Sequence, residues 1–281
     1  MKNRPTQIIP LIICILTVVA IFLVRTLLAA RTDVPRLFDI FDLITLAGSL
    51  FVLATGFRRL RRGDWIAAVL LGVVVCVEML FSSLFSPYPF LGIIDSRPAQ
   101  GILRGTLTVL TALGGLAILR QGGPVRWHFA DGNWRASIHG ILTGLAVGLP
   151  LAVLNVFALQ VTQGHPVEWQ KPLPALLDAL QPGIVEEVIY RFALWGLVWL
   201  VLRNSLAEKA VWPAGVLAML IHNYAHFDDL FLQSPLTAIG MGAVLAVVWG
   251  IPPLVLARRR GLEASISFHW LQDVLRFLTG F

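Results

Sequence analysis

Apolar residues occur along this chain in blocks about 20 residues long, the length of helix that crosses the hydrocarbon core of a bilayer. The windows predict helices near 8–30, 38–57, 64–86, 99–119, 138–160, 174–202, 211–227, 234–257 and 262–281. That gives nine helices, with eight as the alternative, and an all-α polytopic membrane bundle as the fold class. Charge alternates between the windows. Arg58, Arg59, Arg61 and Arg62 follow the second, Arg120, Arg126 and Arg135 the fourth, Arg203 and Lys209 the sixth, and Arg258, Arg259 and Arg260 the eighth. The other loops hold only Arg31, Arg36, Arg97 and Lys171. With Lys2 and Arg4 on the arginine-rich side, the positive-inside rule predicts a cytoplasmic N-terminus, an outer C-terminus and an odd helix count.

Composition narrows the class. The chain of 281 residues is 57% hydrophobic and 14% charged, with a mean hydropathy of +0.78, far from a soluble domain. Its net charge of +6 sits in short runs between apolar blocks, so it reads as a topology signal and not as a nucleic-acid surface. The basic start and first apolar block resemble a signal peptide, but the run continues to Ala30 with no convincing small-residue cleavage site, so a retained first helix is expected. Cys14 and Cys76 lie in apolar runs and are too few for a disulfide framework. A turn-rich stretch, 121–135, with Gly122, Gly123, Pro124, Asp131 and Gly132, divides an N-terminal four-helix region, 1–135, from a second region, 136–281.

Ionisable residues inside apolar helices are costly and therefore informative. In the first region these are Arg25, Glu78 and Arg104. A Glu78–Arg104 pair across neighbouring helices and an Arg25 snorkelling toward headgroups are the expected structural roles. In the second region Glu186, Glu187 and Arg191 fall within six residues, just after Pro182-Gly183, where the helix is expected to kink or restart. Glu187 and Arg191 are four apart with the acid first, a same-face pair, whereas Glu186 points about 100° away from Glu187. Arg191 then orients Glu187 and leaves Glu186 freer to take a proton.

Two more helices carry candidate chemistry. His222 and His226 are one turn apart near the end of the seventh window, with Asn223 beside them; Asp228 and Asp229 read as a solvated loop start. In the ninth window His269 and Asp273 are four apart, with Arg276 placed to hold Asp273. A carboxylate with imidazoles is what water-driven acyl hydrolysis requires: a base for water, a partner to position it and a donor for the oxyanion. No serine or cysteine nucleophile stands out, Ser265 and Ser267 being read as helix-packing serines. His128, His139 and His165 lie in or beside loops and read as ordinary solvated residues.

The EExxxR of Glu186 to Arg191, the histidine in YAHF and the HxxxD of His269 to Asp273 resemble the three signatures of the CAAX-protease and bacteriocin-processing (CPBP) intramembrane endopeptidases. That family includes type II CAAX prenyl endopeptidases and lysostaphin-resistance proteins. The resemblance covers residues 138–281, including the stretch from Gly240 to Asp273, whose basic-Gly turn leads into the histidine helix. It implies a peptide-bond hydrolase with Glu186 as water-activating base, Glu187 as its acidic partner, Arg191 as orienting cation, His226 as the second-motif histidine, and His269 with Asp273 holding water or the oxyanion. His222 stands where the family has an aromatic, so it is an alternative to His226 or an additional ligand.

That departure opens a metal reading in which Glu186, His222, His226 and His269 are the candidate ligands for a zinc ion. The chain lacks HExxH, and glutamate-activated water with no obligatory cofactor is the preferred reading. Counting along the helices puts His226 near the outer end of its helix and His269 in the inner half of its own, so a shared site requires tilt, a re-entrant segment or shifted boundaries. The expected partners are a membrane-associated peptide or protein substrate and the lipid bilayer, with no nucleic acid. The expected location is the cytoplasmic membrane of a prokaryote. The competing readings are a non-catalytic immunity or scaffolding protein and a proton- or cation-coupled transporter, the latter disfavoured by the absence of an inverted repeat.

Overall fold

The computed structural model describes residues 8–82 and 89–281; Lys2, Arg4 and the tail of the third predicted helix, 83–86, lie outside these. The described chain is a helical bundle: α1 (Ile9–Ala29), α2 (Leu37–Gly56), α3 (Arg62–Phe81), α4 (Arg97–Leu119), α5 (Trp134–Gln163), α6 (Pro172–Asp178), α7 (Leu180–Glu186), α8 (Trp195–Leu206), α9 (Val211–Ala225), α10 (Asp228–Gln233), α11 (Pro235–Leu245), α12 (Ile251–Arg260) and α13 (Leu262–Leu278). Two π-helical segments, Glu187–Leu194 and Ala246–Gly250, join α7 to α8 and α11 to α12. Each predicted window is matched by helix, and the sixth is divided where Pro182-Gly183 and the acidic pair fall. Among the described residues six helices, reckoned through Leu37–Arg59 and Pro235–Arg260 for the second and sixth, are by length and composition able to cross a membrane. The chain is an integral membrane protein.

The segment 187–194 is the axis of the bundle. All eight of its residues are buried, because α2, α4, α8, α9, α12 and α13 surround it. Its π winding is the kind of local adjustment that recurs at functional sites. At the other extreme α1 buries only Arg25 and presents a row of isoleucines, leucines and valines outward, as a lipid-facing helix does.

Small residues set the closest helix contacts. On α5, Gly140, Gly144 and Gly148 recur every fourth residue against α13, and a Cβ on Gly144 would meet the Ala264 carbonyl and the Ser267 hydroxyl at 2.2 Å. This stripe lets α13 lie directly on α5, as small-residue motifs do where the hydrophobic effect cannot drive association. Ser267 donates to the Ile141 carbonyl and Gln272 to the Gly148 carbonyl across that seam. The packing fixes the helix that carries His269.

The buried charges of the first region differ from expectation. Arg104 pairs with Asp42 at 2.8 Å, with Asp39 at 3.9 Å, and not with Glu78, whose two carboxylate oxygens are buried without a hydrogen-bond partner. Asp39 and Asp42 on α2, which carry no distinguishing motif in the sequence, face Arg104 across the α2–α4 contact. Arg25 does not snorkel. It is buried, pairs with Asp228 and donates to the Pro35 carbonyl at 3.3 Å. Asp228 is accordingly no solvated loop start: it is buried, and also accepts from the Leu37 backbone at 2.9 Å.

Candidate active site

α7 delivers Glu186 at its last residue, and the π-helical segment continues with Glu187, Tyr190 and Arg191. Glu187 is fully buried. It is held by Arg191 Nη1 at 2.8 Å, by His269 Nδ1 at 2.8 Å and by the Ser265 hydroxyl, which donates to its other oxygen. Ser265 was read from sequence as a packing serine; it is a ligand of the buried carboxylate instead. Its position four residues before His269, on the same face of α13, is the signal that would have found it.

Glu186 has a different environment. It is 19% exposed, and its Oε2 lies 2.6 Å from His222 Nε2 and 3.8 Å from both His226 Nε2 and His269 Nε2. The first is a hydrogen bond; the other two distances exceed direct hydrogen bonding and are of the size that a bridging water closes. His222 is buried, while His226 at the end of α9 is 43% exposed.

The tautomer of His222 follows from its neighbours. Arg191 Nη1 lies 3.0 Å from His222 Nδ1, and a guanidinium only donates, so Nδ1 accepts. The ring proton therefore resides on Nε2 and is donated to Glu186. Arg191 thus binds Glu187 directly and orients Glu186 through His222.

On α13, His269 Nε2 lies 3.5 Å from Asp273 Oδ2, and Arg276 holds the other Asp273 oxygen at 3.0 Å. The Asp273–Arg276 pair is present but not self-contained, because Asp273 also faces the imidazole. The four positions Glu187, His269, Asp273 and Arg276 form one chain of contacts that ends at the part-exposed Arg276.

Aromatic residues from outside the motifs shape the walls. Phe38 of α2 meets His226 edge-on at 4.9 Å and His222 at 5.9 Å, and Tyr190 lies 4.7 Å from His222. The Tyr190 hydroxyl donates to Asp42 at 3.0 Å. The N-terminal region therefore reaches the site through Phe38 and through the Arg104–Asp42–Tyr190 line.

All seven candidates, Glu186, Glu187, Arg191, His222, His226, His269 and Asp273, come together. The depth mismatch expected for His226 and His269 is removed by the length of α9: at 15 residues it spans only about 22 Å, short of the ~30 Å hydrocarbon core. Its C-terminal histidines need not reach a membrane surface. For a metal, the ligand atoms of Glu186, His222 and His226 lie within 4.8 Å of one another.

Residues 168–275 match the family described as Type II CAAX prenyl endopeptidase Rce1-like, in agreement with the resemblance carried by the motifs. The matched segment contains all seven candidate residues. Comparison with curated proteins and with solved structures gives no match.

Proposed function

Taking the match of residues 168–275 to the Rce1-like family as premise, we propose that the protein is an intramembrane endopeptidase that hydrolyses a peptide bond of a membrane-associated substrate with water activated by Glu186. The observation that carries this reading is the unequal treatment of the two glutamates. Glu187 is buried and fully engaged by a cation, an imidazole and a hydroxyl, whereas Glu186 is partly open, with two imidazole nitrogens 3.8 Å from the same oxygen.

In this mechanism a water bound between Glu186 Oε2 and His269 Nε2 gives a proton to Glu186 as its oxygen attacks the scissile carbonyl. The oxyanion of the tetrahedral intermediate is stabilised by the imidazoles of His269 and His226, and Glu186 then returns the proton to the leaving amide nitrogen. Glu187 and Asp273 hold His269 in place, and Arg191 holds His222. One water and one peptide bond give a carboxylic acid and an amine, and passage of the acid's proton to the amine leaves a carboxylate and an ammonium. No covalent intermediate is needed.

The donor set argues against a catalytic zinc held by His222. A ligating nitrogen needs a free lone pair, and the other ring nitrogen of a metal-bound histidine ordinarily donates to a carboxylate or carbonyl. Here His222 Nδ1 faces the Arg191 donor, which leaves the proton on the nitrogen aimed at Glu186. No step of the mechanism is routed through a metal.

Comparative sequencing of peptide termini in membranes containing the wild type or Glu186→Ala tests the function. New termini that depend on Glu186 support a protease. An identical terminal profile, with both proteins folded and present at equal levels, would favour a binding or scaffolding role for the same cluster.

A further inference from the structure

The arginines at the end of α12, expected as topology markers, also line a half-open pocket. Arg258 and Arg259, Arg126 and His128 from the 121–135 loop, Trp212 at the start of α9, and Gly261 border about 420 Å³. Gly261 has φ +93°, and a Cβ there would come within 2.6 Å of His128 Nδ1 and Glu263 Oε2, so the floor requires glycine. The loop is fastened to this floor by two contacts: Leu262 N–H donates to the Arg126 carbonyl at 2.9 Å, and Arg258 Nη1 to the Pro124 carbonyl at 3.0 Å.

Among the described residues Arg126, Arg258 and Arg259 form no ion pair, in contrast to Arg120, which pairs with Asp64 and Asp131, and Arg61, which pairs with Asp131. Glu263 is the acidic group close by, beside Gly261 and His128, and its carboxylate faces groups other than the three arginines. One of its oxygens accepts from the Phe129 backbone at 2.7 Å and the Ser137 hydroxyl at 2.9 Å, and the other lies 3.6 Å from His128. Cations in the last turn of α12 also complement the helix carbonyls, but that role does not require Arg126 to converge on them from a separate loop.

We propose that this cavity binds a phosphate oxyanion at the membrane boundary, as presented by the headgroup of an anionic phospholipid. Arginine forks match phosphate geometry, the site lies at the polar end of the apolar helix Pro235–Arg260, and Trp212 supplies the amphipathic ring typical of the interface. Basic pockets between helices on an arginine-rich side are suited to such headgroups.

The test is native mass spectrometry of the full-length protein in detergent, titrated with dioleoylphosphatidylglycerol, with dioleoylphosphatidylcholine, and with inorganic phosphate as competitor. The proposal expects retention of the anionic lipid over the zwitterionic one, and a weakening on the order of tenfold or more in the double variant Arg126→Gln/Arg259→Gln. A control double variant, Arg58→Gln/Arg59→Gln, removes cations that lie outside this pocket and is expected to bind within about twofold of wild type. Competition by inorganic phosphate supports recognition of the phosphate alone; lipid binding without competition supports recognition of the whole headgroup. Equal retention of the two lipids with no phosphate binding overturns the proposal, as does an equal loss in the control variant.

Discussion

The two halves of the bundle both bury charge, and they handle it in opposite ways. In the N-terminal region Arg104 is matched to Asp42 and Asp39, and Arg120 to Asp64 and Asp131. These are cation–carboxylate networks in which Asp64 also accepts from the Arg61 backbone at 2.8 Å. In the second region three imidazoles are interleaved with the carboxylates, and Glu186, besides its 2.6 Å bond to His222, keeps two imidazole nitrogens at 3.8 Å, close without direct hydrogen bonding. A buried ion pair in a membrane helix is therefore no sign of chemistry by itself. What distinguishes the candidate site is a partly open carboxylate beside proton-carrying groups, supported by a second carboxylate with no freedom left.

That contrast predicts separable effects. The largest is structural: Asp64→Ala removes the buried partner of Arg120, leaving it only the part-exposed Asp131, together with the acceptor of the Arg61 backbone, and is expected to cost roughly 3–5 kcal/mol of stability. Thermal unfolding in detergent measures it, and cleavage per folded molecule should stay within about twofold of wild type. His269→Ala should show the reverse pattern, a loss of about 10²–10³ in turnover with a small change in unfolding temperature. A turnover loss of similar size in Asp64→Ala would erase the distinction between the halves.

The two histidines of α9 sharpen the comparison within the site. His222 bridges Arg191 and Glu186, whereas His226 approaches Glu186 only at 3.8 Å from an exposed position. His222→Ala is expected to lower turnover about a hundredfold and His226→Ala about tenfold, read from initial rates on one peptide. Equal losses would assign both rings the same role. The smallest effect belongs to the link between the halves: Tyr190→Phe removes one donor to Asp42 and should cost about 1 kcal/mol of stability, with Arg104 still in place.

Much of this was legible in the sequence because a bilayer leaves few options. Apolar windows located the helices, and ionisable residues inside them pointed to the candidate site, since such groups are costly in a bilayer. The Glu187–Arg191 pair followed from four-residue spacing alone. What the sequence concealed was contact between helices distant in the chain. Asp42 was overlooked beside the more conspicuous Arg104 and Glu78, Phe38 carried no chemical signal, and Ser265 resembled any small residue on a membrane helix. Asp228 looked like loop because it follows the end of α9, yet α1 packs over it through Arg25. Such pairings depend on which helices neighbour one another, and local periodicity does not encode that.

The central claim is that Glu186 activates water while Glu187 organises the site. Its most direct measurement is the initial rate of cleavage of one identified peptide by purified wild type and Glu186→Gln, each with and without a strong chelator. The account predicts that the variant loses at least about 10²-fold in turnover with its unfolding temperature preserved, and that the chelator changes neither rate. A folded Glu186→Gln protein that cleaves at the wild-type rate would contradict it.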